Sequence, residues 1–445
     1  MSILLLAFVI FAFASPIPPQ GLQRLPALGP SLLWDTTLAA STAPPRNIIQ
    51  PSSYAVLYGP PEDPTLLYAL TTSNGALNVL YSANGTTAWN FEDWDCGLNN
   101  TLCWNRQVAG DGVGLYVLQN RTIYAFDAYT GHKIYAVTVP SGINAATTQL
   151  TLNVRQLVLY DNTNIVALSA EDGLHVVWAH GNVSNSFGSG VRIDPTGSGN
   201  IGVLRDDKTV LVFDLTGAII FSFDVGDMGT FLYLGSVDAV SVFFLYQVTP
   251  QSSPPKNFAC RFPLYNNSTT PPQYFCTSLR EFPTGYGIAA KRGGQSHLTR
   301  LYLNQPSATQ SFNFTTGALI ATSQARPNGH LVGLALFALV TATGSNGTML
   351  AQGFTFEDMS LRFNFSLPST IDPYSVNTNW YNEVVIPVPG KGFYFLFGGS
   401  GRLDASYESF FNETGGPVMT NAWVVSDRFF VSSGRRVVAF SFPPS

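Results

Sequence analysis

Charge is scarce in this chain. Of 445 residues, 22 are Lys or Arg and 27 are Asp or Glu, 11% of the whole, with a formal net charge of −5. No run of Lys and Arg offsets that balance, which excludes recognition of a nucleic-acid backbone or an anionic membrane by bulk electrostatics. Apolar runs long enough to cross a bilayer are missing too. "ILLLAFVIFAFA", Ile3 to Ala14, and the stretch from Leu331 to Ala342 both fall short of the roughly 20 residues that a span needs. No transmembrane anchor is expected. Gly-x-Ser-x-Gly does not occur, so the nucleophile elbow of a serine hydrolase is not written here. The glycine-rich runs "FGSG", "TGSGNIG" and "FGGSGR" are not followed by Gly-Lys-Ser/Thr, so they read as turns and not as phosphate cradles.

Cysteine is sparse as well, with four residues in two close pairs: Cys96 with Cys103 and Cys260 with Cys276. An even count in an exported chain reads as disulfides, most simply within each pair. A zinc site made from all four is the rival, though neither pair has the two-to-four-residue spacing of such sites. Export is expected on two grounds. The apolar segment at the start ends in Ala12-Phe13-Ala14, a small-x-small cleavage pattern, so residues 1–14 read as a signal peptide and 15–30 as an N-terminal extension. Asn-x-Ser/Thr acceptor sites occur at Asn84, Asn99, Asn120, Asn182, Asn266, Asn267, Asn313, Asn346, Asn364 and Asn412. Glycans there would keep a chain with so little charge in solution. The expected location is outside the cell or in the secretory lumen.

What the chain does contain is strand material: 45% apolar residues, with 32 Phe and 19 Tyr, punctuated by 40 Gly and 29 Pro. The segment "IYAFDAYTGHKIYAV", Ile123 to Val137, sets two alternating runs on either side of a Thr-Gly turn. Weaker copies read "SANGTTAWNF", "ALSAEDGLHVVW", "VFDLTGAIIFSF" and "SFNFTTGALIATS". Their turn glycines, Gly85, Gly131, Gly173, Gly217 and Gly317, are 46, 42, 44 and 100 residues apart, the last being two periods. A period in the mid-forties is that of a propeller blade of four antiparallel strands. Alternation sends Tyr124, Phe126 and Ala128 to one face and Ala125 and Asp127 to the other.

The segment Ala125, Phe126, Asp127, Ala128, Thr130, Gly131, with Tyr135 four residues on, resembles the repeat of the pyrroloquinoline-quinone-type propellers. That resemblance implies an aromatic packed between neighbouring blades, a place taken by Trp89, Tyr135, Trp178 and Phe221. It also raises a quinoprotein oxidoreductase with a quinone cofactor and calcium. Those enzymes carry two adjacent cysteines, and no Cys-Cys dipeptide occurs here. The non-enzymatic branch, in which the propeller is a scaffold, resembles this chain better. The expected fold is an all-β, single-domain propeller over residues 31–445 with eight blades, or seven, closed by pairing "SLLWDTT" from Ser31 with the last blade.

No catalytic, cofactor or metal set assembles from the residues. Glu92, Asp93 and Asp95 in "FEDWDC" offer hard oxygen ligands of the kind that hold calcium; a solvated connection between the first two blades explains them as well. His175 and His180 are five apart on one expected strand and so face opposite sides, unsuited to a shared metal. The expectation is a binding or structural module meeting a protein or glycan through a propeller face, with the oligomeric state left open.

Overall fold

The structure is a computed structural model that describes residues 30–38 and most of 55–442. The longer stretches outside the description are 39–54, 92–106, 182–190, 265–274, 291–298, 368–376 and 411–419, and shorter ones separate several neighbouring strands. Every helix or strand among the described residues is a β-strand, and the strands form nine four-stranded antiparallel sheets. Eight sheets use four consecutive strands each, over 55–91, 107–138, 149–181, 191–224, 229–279, 285–324, 330–367 and 377–406; we number them 1 to 8. Sheet 9 takes three strands from 420–441 and its fourth from the other end of the chain. Ser31–Thr37 pairs antiparallel with Arg436–Ser441, with Ser31 opposite Ser441.

The turn glycines Gly85, Gly131, Gly173, Gly217 and Gly317 fall between the third and fourth strands of sheets 1, 2, 3, 4 and 6. The structure holds nine sheets where eight, or seven, blades were expected, and two of the nine lie after residue 367. Two short, polar strands conceal the extra sheet. Asn377–Thr378 has two residues, and Arg402–Ser406 reads RLDAS, which alternates but offers only Leu403 and Ala405 as apolar positions.

Alternation explains how the sheets stack. In sheet 3, Leu157, Leu159, Val166 and Leu168 join a core shared with sheet 2. Their neighbours Val158, Ile165 and Ala167 join a core shared with sheet 4. A strand buried on both faces has to be apolar at successive positions, which is why "QLVLY" and "NIVALS" read as continuous runs. Burial of each such Leu, Ile or Val stabilises the fold by about 1.5–3 kcal/mol. Sheet 9 shares its core with sheet 1: Trp34, Leu38, Phe430, Val437 and Ala439 meet Leu57, Leu67, Ala69 and Leu80. Close backbone approaches between neighbouring sheets run repeatedly between first strands, as between 107–110 and 149–153, 191–193 and 229–237, and 55–58 and 420–424. First strands therefore lie inward and fourth strands form the outer wall.

The outer strands share one irregularity. In all but sheet 5, the fourth strand carries a bulge of one residue close to its start, at Leu33, Ala88, Ile134, Val177, Ile220, Ile320, Arg362 and Asp404. A bulge bends and twists an edge strand away from further pairing, which protects an exposed sheet edge.

Candidate functional site

The reversal between third and fourth strands is where the repeat motif resides, and its chemistry is local. Asp127 Oδ1 accepts from the backbone N–H groups of Tyr129 (3.1 Å) and Thr130 (2.7 Å) and from the Thr130 hydroxyl (2.8 Å). These bonds, the Thr130 N–H first, hold the Asp127 carboxyl below its ordinary value. Gly131 closes the reversal, its N–H donating to Asp127 O at 3.0 Å with φ at +69°. Asp214 repeats the arrangement with Thr216 and Ala218; burial raises its pKa, and the hydrogen bonds outweigh that and leave it lowered. In sheet 6 Asn313 is the uncharged counterpart, accepting from Thr315 and Thr316.

Each reversal is also the seat for a side chain from the preceding sheet. Trp89 of sheet 1 lies on Gly131 of sheet 2, so close that a Cβ on that glycine would sit 2.5 Å from the ring. Its Nε1 donates to Ala128 O at 2.8 Å. Trp178 does the same to Gly217 and Leu215 O (3.1 Å). Tyr135 substitutes its hydroxyl for the indole N–H, donating to Ala170 O at 2.9 Å. Phe221 has no donor and lies in the core shared with sheet 5, 5.8 Å from Phe262.

A fifth member went unassigned in the sequence. Trp34 of sheet 9 lies on Gly85 of sheet 1 and donates Nε1 to Ser82 O at 2.7 Å. Two positions further along the outer strand a second bond reaches the turn glycine's carbonyl: Thr36 to Gly85 O (3.0 Å), His180 to Gly217 O (2.9 Å), Thr277 to Gly317 O (2.9 Å). His180 thus has a joint-forming role, its ring stacked 4.4 Å from Phe213, while His175 sits exposed beside Asp172 O (3.2 Å). Phe275 covers Gly317 without a donor, and Arg261 supplies one to Phe314 O at 3.2 Å.

Two features remain that this joint chemistry does not use. The first is a polar cluster on inner strands. Arg192, in the first strand of sheet 4, donates Nε to Gly235 O (3.2 Å) and a terminal N–H to the Tyr233 hydroxyl (3.1 Å), both in the first strand of sheet 5. Burial raises the pKa of nearby Tyr160, and the charge of Arg192 opposes that rise.

The second is an apolar asymmetry. Outer strands run away from the end that carries the first-to-second and third-to-fourth reversals, here called the turn end. Fourteen large apolar side chains are exposed among the described residues, and all fourteen are at that end. Leu32, Ile134, Val176, Ile219, Leu319 and Leu361 each stand at or within one residue of an outer-strand bulge. Val113, Val154 and Val240 sit in the inner reversals. The opposite end presents Thr163, Arg205, Lys208, Ser307 and Arg435, exposed or half-buried, in its described reversals.

Cys260 and Cys276 are joined, as register partners on adjacent strands of sheet 5 with Cα atoms 4.2 Å apart. Cys96, Cys103 and the calcium candidates Glu92, Asp93 and Asp95 lie outside the described residues, as do Asn99, Asn120, Asn182, Asn266, Asn267, Asn346 and Asn412. Asn84 and Asn364 are exposed, and Asn313 is half-buried in its turn. Among the described residues no three His, Cys, Asp or Glu side chains converge to hold a metal, and no helix is long and apolar enough to cross a membrane.

No family model matches the chain, and no curated protein does. Among solved structures, a eukaryotic initiation factor is similar over 86% of this chain and 89% of its own, at 11% identity and a TM-score of 0.55. BamB from Moraxella catarrhalis is similar over 93% and 100%, at 14% identity and 0.49. The Pan2 WD40 domain of Neurospora crassa is similar over 94% and 97%, at 10% identity and 0.44. Successive four-stranded meanders, cores shared between consecutive sheets and inward first strands give this chain the fold of a β-propeller.

Proposed function

We propose that the chain is a secreted, N-glycosylated propeller of the quinone-type repeat, with nine blades in a ring closed by residues 31–37. In this reading it acts as a non-enzymatic module that docks a protein partner on its turn end. Among the described residues, the confinement of exposed large apolar side chains to that end carries the reading. Half-exposed side chains in this number hold on the order of 800 Å² of apolar surface, what one partner of a standard stable interface buries. Sheet 1 lacks the apolar pair, with Thr87 and Ala88 at its bulge, and it is the sheet whose reversal exposes the acceptor Asn84.

Substitution from both ends tests it. A triple variant Ile134→Asp, Val176→Asp, Leu319→Asp is compared with Arg121→Ala, Lys208→Ala at the opposite end, each used with the wild type as bait on the secreted proteome of the producing cell. A stoichiometric protein partner retained by the wild type and the opposite-end variant, and lost from the triple variant, is the expected result. Equal retention by all three overturns the turn-end reading. Secretion and glycosylation are read separately, from a mass shift of medium-derived protein on N-glycan removal.

A further inference from the structure

An arginine held in a fixed pose with no carboxylate beside it carries an uncompensated charge, and such charges are rare in partly buried positions. Among the described residues Arg192 is in that state. It is the middle residue of Val191–Ile193, whose flanking side chains belong to the core toward sheet 3, so its own side chain turns toward sheet 5. Three of its five N–H groups are taken by neutral acceptors: Gly235 O, the Tyr233 hydroxyl, and Val191 O at 3.3 Å. The guanidinium carbon lies 5.8 Å from the centre of the Tyr233 ring. Arg261, Arg428 and Arg436, also partly buried, each hold a carboxylate, at 3.5, 2.7 and 2.5 Å. Among the described residues Arg192 has none within 4.0 Å.

The remaining two N–H groups are one on each terminal nitrogen, the paired donors that match two oxygens of a carboxylate or phosphate. We propose that Arg192 is an oxyanion-binding residue on the inner side of sheets 4 and 5, taking a small ligand through its carboxylate or phosphate group. The Tyr233 hydroxyl and the Gly235 carbonyl orient the guanidinium before the ligand arrives, which lowers the ordering cost of binding. The phenol of Tyr160 stays protonated at neutral pH and is available as a further donor. This ligand site is separate from the apolar turn end, so either reading stands without the other.

Equilibrium dialysis of the full chain at constant ionic strength, against radiolabelled inorganic phosphate in one arm and radiolabelled malonate in the other, tests the proposal. One saturable site per chain is expected for at least one probe, and the probe that binds identifies the source of the oxyanion. Arg192→Gln should abolish the site, and Arg192→Lys, which keeps the charge without the paired geometry, should weaken it about tenfold. Arg155→Gln, at an exposed arginine paired with Glu171, should leave it unchanged. Thermal unfolding of each variant shows whether a loss of binding is a loss of fold. Absence of a saturable site for both probes, or binding by a folded Arg192→Gln protein equal to the wild type, overturns the proposal.

Discussion

Gly131 and Gly173 occupy corresponding places in successive reversals, with φ at +69° and +78°, yet a Cβ added to them would meet different surroundings. At Gly131 it would sit 2.5 Å from the Trp89 ring; at Gly173 nothing lies within 4 Å, because Tyr135 reaches its reversal through the hydroxyl alone. Gly173→Ala should therefore cost only left-handed backbone strain, about 1–2 kcal/mol. Gly131→Ala adds a displaced indole and should cost about 3 kcal/mol or more. Chemical denaturation of the two variants checks this, and equal losses would mean that the aromatic does not rest on the glycine. Trp34→Phe retains ring area and loses the bond to Ser82 O, for about 1 kcal/mol, whereas Trp34→Ala should cost about 3–5 kcal/mol. The turn carboxylates add a pH dependence. Asp127 and Asp214 are held below 3.8 and Asp358 is lowered to about 2, chiefly by the Thr355 hydroxyl. A carboxyl with a depressed native pKa gives stability that is present above its unfolded value and lost as pH falls through the native one. The melting temperature should thus fall between about pH 4 and pH 2, and Asp127→Asn, which keeps the acceptor as Asn313 does, should flatten that fall. The Trp89 joint was legible because the motif lies within one window of sequence. The strand that carries Trp34 was expected in the last blade, but no turn glycine stands four residues before Trp34 to mark the motif, and Arg192 gave no local signal because its fixed partners are on the next sheet.

At the scale of the element, the outer strand is the part of each sheet with an open edge, and eight of nine manage it with a bulge near the start. Sheet 5 is the exception. Its outer strand Phe275–Leu279 pairs without a register shift and is instead tied to its neighbour by Cys260–Cys276, with a sequence separation of 16. A bridge of that span is worth about 3 kcal/mol through the unfolded chain. Cys260→Ala, Cys276→Ala should lower stability by about that amount, and reductant should no longer shift the melting temperature beyond any effect of Cys96 and Cys103. The strands of sheets 1 to 7 were readable from apolar runs and turn glycines. Sheet 8 was not, because one of its four strands has two residues and another has only Leu403 and Ala405 to mark its alternation. The bulges were invisible for a different reason: they recur at the same place in nearly every outer strand and so do not disturb the spacing from glycine to aromatic. Trp178 falls one place late after its glycine because its reversal is one residue longer, with Leu174 at φ +59°.

At the scale of the molecule, residues 31–37 meet residues 436–441. The outer strand of sheet 9 comes from residues 31–37, and it is held by its backbone ladder, by the Asp35–Arg436 ion pair at 2.5 Å and by Trp34 seated on sheet 1. The same device that joins sheet 1 to sheet 2 through Trp89 thus joins sheet 9 to sheet 1, and the ring is proposed from that junction. Engineering a disulfide across this junction tests it most directly. Ser31 and Ser441 are register partners whose hydroxyl oxygens lie 2.5 Å apart. Ser31→Cys, Ser441→Cys in the full chain should oxidise to an intramolecular bond between those two positions, seen by peptide mass mapping, and should raise the melting temperature. Free thiols at both positions after oxidation, in a folded protein, would contradict the pairing and with it the ring.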